Sequence, residues 1–152
     1  MQNLTVSLAQ TELVWEDSQE NCRELGELLQ RLDNSAQLLV LPEMFSTGFS
    51  MNVKTIAEPV DGPGQQWIRD QSQMHKLAVT GSLSVRDGDH TFNRLLFNYP
   101  DGRQYTYDKK HLFRMAGEHE RYSAGSERLI VELDGWRIRP LVCYDQIGRA
   151  HV

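Results

Sequence analysis

The stretch Gln37-Leu38-Leu39-Val40-Leu41 is apolar almost without interruption, and Pro42 closes it. A strand that alternates apolar and polar residues can lie half in water. One that is apolar throughout needs cover on both faces, which points to the interior of a layered α/β sheet. Pro42 has no N–H to give to a ladder and so marks the strand's end. Glu43 then stands just beyond the carboxyl end of an interior strand, where open α/β sheets place their sites. Two other strand-like runs also lead to an ionisable side chain: Gln104-Tyr105-Thr106-Tyr107 to Lys109, and Pro140-Leu141-Val142 to Cys143.

The rest of the chain supplies layers for such a sheet. Leu4 to Ala9 alternates apolar and small polar residues and reads as a first strand. Asp17 with Glu20 forms a plausible helix cap, followed by Cys22, Leu25, Leu28, Leu29 and Leu32 at helical spacing. Cys22 lies on that apolar stripe and reads as a small packing residue. Gly62-Pro63-Gly64 precedes a second helix, from about Gln65 to His75, with Trp67, Ile68 and Met74 as candidate buried positions. Leu77 to Val85 and Thr91 to Phe97 are further strands. The pairs Asp87-Gly88, Asp101-Gly102 and Asp134-Gly135 suggest hairpins, because both turn residues tolerate positive φ. Two main helices on a mixed sheet cover one face and leave the other expected bare.

The length, 152 residues, suits one domain with a real core. A net charge of −5 and the lack of a basic stripe argue against a nucleic-acid partner. No apolar run approaches a membrane span and no signal-peptide pattern opens the chain, so no membrane partner and a cytoplasmic location are expected. Two cysteines in a reducing compartment are expected as free thiols. His75, His90 and His119 are isolated, which speaks against a metal site.

A thiol attacks as thiolate, so Cys143 needs a cation or a base beside it. Lys109 can be the cation that lowers its pKa and later steadies an oxyanion, Glu43 the base, and the Tyr144 backbone N–H a second oxyanion donor. Together they suit hydrolysis of an amide through a thioester. Taken singly, each has a plainer account: a core cysteine, an exposed lysine and a surface carboxylate. The shared placement after strand-like runs is what groups them.

The segments LVLPEMF, YDKKHLF and PLVCYD resemble, in order, the three signature segments of the nitrilase superfamily of carbon–nitrogen hydrolases. The resemblance runs from about residue 4 to Asp145. It implies an α-β-β-α sandwich, here an N-terminal portion, with no cofactor and a homodimer for the complete protein. It places the family's glutamate on Glu43, its lysine on Lys109 rather than Lys110, and its cysteine on Cys143. A second glutamate falls on Glu118, with Glu120 close by. His111 is expected to order its loop by hydrogen bonding rather than act as a base.

EMFSTGF, FNRLLF and KKHLFRMAGEH further resemble the omega-amidase branch, which implies a small-molecule substrate, an ω-amide of a 2-oxo dicarboxylic acid. Such a substrate carries a carboxylate, for which Arg114 is a candidate partner; an exposed loop arginine is the plainer account. Other C–N substrates, such as N-carbamoyl compounds or nitriles, and a non-catalytic interaction domain are the alternatives. After Asp145 the family pattern is lost. Ile147-Gly148-Arg149-Ala150-His151-Val152 is what part of a common sequencing-library adapter encodes. Residues 1–145 are therefore expected to be an incomplete hydrolase domain and 146–152 a non-native tail, with the chain as written inactive or insoluble.

Overall fold

The computed structural model describes residues 3–32 and 35–148. In chain order these form β1 (Val6–Leu8), α1 (Ser18–Leu29), β2 (Leu38–Val40), α2 (Val53–Ile56), β3 (Glu58–Pro59), α3 (Pro63–His75), β4 (Ala78–Asp87) and β5 (His90–Asn98). There follow β6 (Gln104–Asp108), a 3-10 turn (Arg114–Ala116), α4 (Glu118–Arg121), β7 (Val131–Leu133), β8 (Trp136–Ile138) and α5 (Asp145–Gly148).

β1, β2 and β4 are parallel neighbours, whereas β4, β5 and β6 pair antiparallel, giving the order β1-β2-β4-β5-β6 with β3 beside the far end of β4. The sheet is the mixed α/β sheet expected. The parallel steps run in one direction, so right-handed crossovers put α1 and α3 on the same face. The Asp17 carboxylate caps α1, accepting from Glu20 N at 3.0 Å. Leu25 and Leu29 of α1 and Ile68 of α3 then meet Leu39, Val79, Leu83, Val85 and Leu96 of the sheet. Two expected core positions lie outside this contact. Met74 is exposed, and Leu28 partly so, because each lies on a helix flank turned from the sheet.

The second face is not bare. Leu38, Ala78, Leu95, Phe97 and Tyr107 meet Val131 and Leu133 of the β7–β8 hairpin, together with Val142. Asp134-Gly135 makes the tight two-residue turn expected of it, with both φ positive at 49° and 81°. The other two Asp-Gly pairs differ. Asp87 pairs with His90 inside the ladder, so the loop is Gly88-Asp89 with Gly88 at φ 59°. Asp101-Gly102 belongs to a longer loop in which Gly102 N bonds Tyr99 O at 3.0 Å.

The run into Cys143 also departs from expectation. β8 ends at Ile138, and 139–142 join no ladder among the described residues, since Pro140 lacks the N–H one would need. Of the expected tail, 146–148 complete α5, and 149–152 lie outside the described residues. No helix among the described residues is long and apolar enough to cross a membrane.

Candidate active site

Since β4 and β6 both pair antiparallel with β5, β2, β4 and β6 point the same way. Glu43 and Lys109 therefore leave the sheet at one end. Lys109 N continues the ladder past β6 by donating to Asn93 O at 3.0 Å, which turns the Lys109 side chain to the same face as Tyr107. There it is 1% exposed. Its ammonium Nζ lies 2.8 Å from Glu43 Oε1, and 3.0 and 3.2 Å from Glu118 Oε2 and Oε1. Burial alone disfavours this charge, but the two carboxylates outweigh it and hold Lys109 above the ordinary lysine range.

Glu43 is fixed by the turn that follows it. Met44 takes a left-handed conformation (φ 50°), and its N–H bonds Ser82 Oγ at 3.0 Å while Phe45 N–H bonds Ser82 O at 3.0 Å. The turn presses on β4 at Gly81, where a Cβ would stand 2.8 Å from Leu41 Cβ. Glu118 opens α4 and is fully buried, accepting from Phe113 N–H at 2.6 Å, whereas Glu120 is exposed. The geometry thus places Glu118, not Glu120, against Lys109.

A fourth residue joins them. Asn93 Nδ2 donates to Glu43 Oε1 at 2.9 Å and to Glu118 Oε1 at 3.1 Å. Asn93 lies within the FNRLLF segment, but nothing in that segment gave it a role. Periodicity is the signal that could have singled it out: Asn93, Leu95 and Phe97 share a strand face, and a polar residue at the end of a buried face needs partners.

Cys143 is exposed, on a turn, at φ 44°. Such a conformation is uncommon away from glycine and persists where surroundings hold it. The holder is Asp145, itself fully buried. Its carboxylate accepts from Tyr107 Oη at 2.8 Å, His111 N at 2.7 Å and Val142 N at 3.2 Å, and His111 Nδ1 lies 3.1 Å away. His111 therefore orders the loop. Burial and the Asp145 charge push the Tyr107 phenol well above its ordinary range.

The thiol itself corrects an expectation. Its pKa is raised, not lowered: burial and the Glu43 carboxylate hold the proton on sulfur, against the smaller pulls of Lys109 and the Tyr144 N–H. Two carboxylates share the one ammonium, and its pull at the sulfur is the smaller one. Cys143 and Glu43 line a common cavity of about 360 Å³ with Thr80, Ser82, Leu141 and Val142, and Lys109 lies behind Glu43 rather than in its wall. Tyr144 turns its ring to Phe113, at 5.2 Å between centroids, and its N–H to the sulfur. Arg114 is not brought to this cavity. It sits exposed on the 3-10 turn, in a different groove with Lys110 and His119.

This sheet, with an acid–lysine–acid cluster behind an exposed cysteine, is the arrangement that the resemblance to the nitrilase superfamily implies. The carbon-nitrogen hydrolase family model matches residues 5–149, and the chain belongs to that family. It is 46% identical over 145 residues to omega-amidase YafV of Yersinia enterocolitica, covering 95% of this chain and 56% of that protein. To 2-oxoglutaramate amidase of Bacillus subtilis it is 31% identical over 144 residues, covering 93% and 56%. The crystal structure of XC1258 from Xanthomonas campestris, a CN-hydrolase superfamily protein with an arsenic adduct in its active site, matches with a TM-score of 0.90 at 48% identity, covering 95% of this chain and 55% of that one. The chain thus spans a little over half the length of these relatives.

Proposed function

We propose that the full-length protein carrying this chain hydrolyses the ω-amide of a dicarboxylic acid, with 2-oxo dicarboxylates as the favoured class, to the free acid and ammonia. The observation that carries this is the shared cavity of Cys143 and Glu43, backed by the buried Lys109. Similarity to omega-amidase and 2-oxoglutaramate amidase supports the substrate class.

The Cys143 proton passes to Glu43 as sulfur bonds to the amide carbon. The oxygen that gains charge meets the Tyr144 N–H and the field of Lys109. The C–N bond breaks as Glu43 returns the proton to nitrogen, and ammonia leaves a thioester. Glu43 then takes a proton from water, the hydroxyl bonds to the same carbon, the C–S bond breaks, and the thiol regains its proton. A thiol kept protonated by its own base suits this sequence, because the proton is available to move to the leaving amine.

The test is ammonia release from 2-oxoglutaramate, succinamate, an N-carbamoyl amino acid and a nitrile, with wild type and Cys143→Ala. The ω-amides are expected to turn over and Cys143→Ala to be silent while keeping its circular dichroism spectrum. Turnover confined to the carbamoyl compound or nitrile would move the substrate class, and turnover that survives Cys143→Ala would end the mechanism.

A further inference from the structure

The charge count behind Cys143 is unbalanced, with the carboxylates of Glu43 and Glu118 converging on the single ammonium of Lys109. Like charges so close favour protonation of one of them unless further donors intervene. Asn93 supplies those donors. It is fully buried, and its one Nδ2 group reaches Glu43 Oε1 at 2.9 Å and Glu118 Oε1 at 3.1 Å. Its amide orientation is fixed chemically, since the reverse would set Oδ1 against two carboxylate oxygens. The consequence is visible on its other side, where Oδ1 is buried with no hydrogen-bond partner. A buried acceptor left unpaired calls for a reason, and the two charge-assisted bonds of the donor supply one.

We propose that Asn93 is a positioning residue whose amide clamps the two carboxylates to Lys109 and keeps Glu43 aimed at Cys143. Glu43 Oε1 takes both the Asn93 and the Lys109 bonds, which fixes the rotation of the carboxylate in the cavity wall. The backbone adds a second tie, because Asn93 O accepts from Lys109 N and so sets the height of the lysine. The charged and titratable groups facing Glu43 are Lys109 after β6, Glu118 on α4, Cys143 on its turn and the Tyr122 phenol after α4. Of these, Lys109 attracts the Glu43 carboxylate and Glu118 repels it, and the neutral Asn93 amide donates to both carboxylates. This role rests on the proposed part of Glu43 as proton acceptor.

The experiment is the pH dependence of kcat/KM in the full-length protein for wild type, Asn93→Ala and Asn93→Asp. Loss of a hydrogen bond to a charged group should move the acid limb up by about one pH unit in Asn93→Ala. It should move further in Asn93→Asp, which keeps the shape but adds a carboxylate. KM is expected to stay within about twofold while kcat falls, as for a group acting on the reaction rather than on binding. Coincident acid limbs in all three proteins would overturn the proposal. A second readout needs no turnover. In wild type the Asn93 side-chain amide proton signals should shift with the midpoint at which Cys143 alkylation by iodoacetamide changes, and signals flat across that midpoint would also overturn it. Absence of ammonia release by wild type would instead count against the proposed function and leave the alkylation and amide readings to judge Asn93.

Discussion

The chain holds two thiols whose surroundings differ in nearly everything except the direction in which their pKa values are shifted. Cys22 lies on α1, half-buried against the core of the helical layer. Its pKa is pushed up to about 11 by burial, with only a Ser18 hydrogen bond working against it. Cys143 is exposed on a left-handed turn, and its thiol is raised by burial and by the Glu43 carboxylate together. A depressed pKa therefore does not tell a nucleophile from a packing residue here. What separates them is a proton acceptor within reach: Cys143 hydrogen-bonds the Glu43 carboxylate and shares its cavity, whereas Cys22 hydrogen-bonds Ser18 and meets the Glu58 carboxylate only through its charge.

The comparison breaks most severely if the cation behind Cys143 is removed. Lys109→Met leaves the buried Glu118 and the half-buried Glu43 against each other with no counter-charge. Breaking such a pair is expected to cost about 3–5 kcal/mol of stability and to abolish turnover. Urea unfolding and ammonia release read both effects, and wild-type unfolding by Lys109→Met would show that the cluster is not held by its charge. Glu43→Gln comes next and splits two effects that usually travel together. With the carboxylate gone and Lys109 in place, the Cys143 thiol should ionise more readily and alkylate faster at neutral pH. Turnover should nevertheless fall about 10²–10⁴-fold, because the acceptor of the proton is lost. Cys22 labelling should not change. Slower alkylation of Cys143 in Glu43→Gln would reverse the electrostatics argued above.

Much of this was legible in the chain, and the reasons are local. Pro42 ends a ladder by its chemistry, so Glu43 could be placed at a strand end without a structure. The resemblance to the nitrilase superfamily separated Lys109 from Lys110, and the structure puts Lys109, not its neighbour, beneath Glu43. What escaped depends on partners remote in sequence. Asn93 matters because β5 and β6 pair in a register that sets it beside Lys109, and no window of sequence reports that register. The expected fall in the thiol pKa failed for a similar reason. Lys109 was weighed as a free cation, whereas burial and the Glu43 carboxylate outweigh its pull at the sulfur, and Glu118, brought in by a turn at Gly117, also pairs with it. The covered second face depended on where the β7–β8 hairpin docks, which its turn type does not reveal.

The nucleophile's turn should yield to a smaller perturbation than the cluster does. Asp145→Asn keeps the shape but turns an acceptor of bonds from Tyr107, His111 and Val142 into a group that must present N–H to some of them. Loss of charged hydrogen bonds of this kind is expected to cost about 2–3 kcal/mol. The site-specific part is aim: Cys143 alkylation should lose its dependence on Glu43, so that Glu43→Gln no longer accelerates it in an Asp145→Asn background. Retained acceleration would mean that the turn holds without its carboxylate.

The smallest effect belongs to Cys22 and has a fixed sign. Its thiol titrates at 9.0 in the absence of structure and at about 11 when folded. Between those values the folded chain keeps a proton that the unfolded chain has released, so the unfolded state binds fewer protons and stability falls as pH rises. The contribution is complete below pH 9.0 and gone above about 11. Cys22→Ala should flatten that slope relative to wild type in urea unfolding at pH 8.5, 9.5 and 10.5, while leaving turnover and Cys143 labelling unchanged. A slope that persists in Cys22→Ala would assign the alkaline loss to another group, and altered turnover would mean that α1 reports to the site in a way its packing does not show.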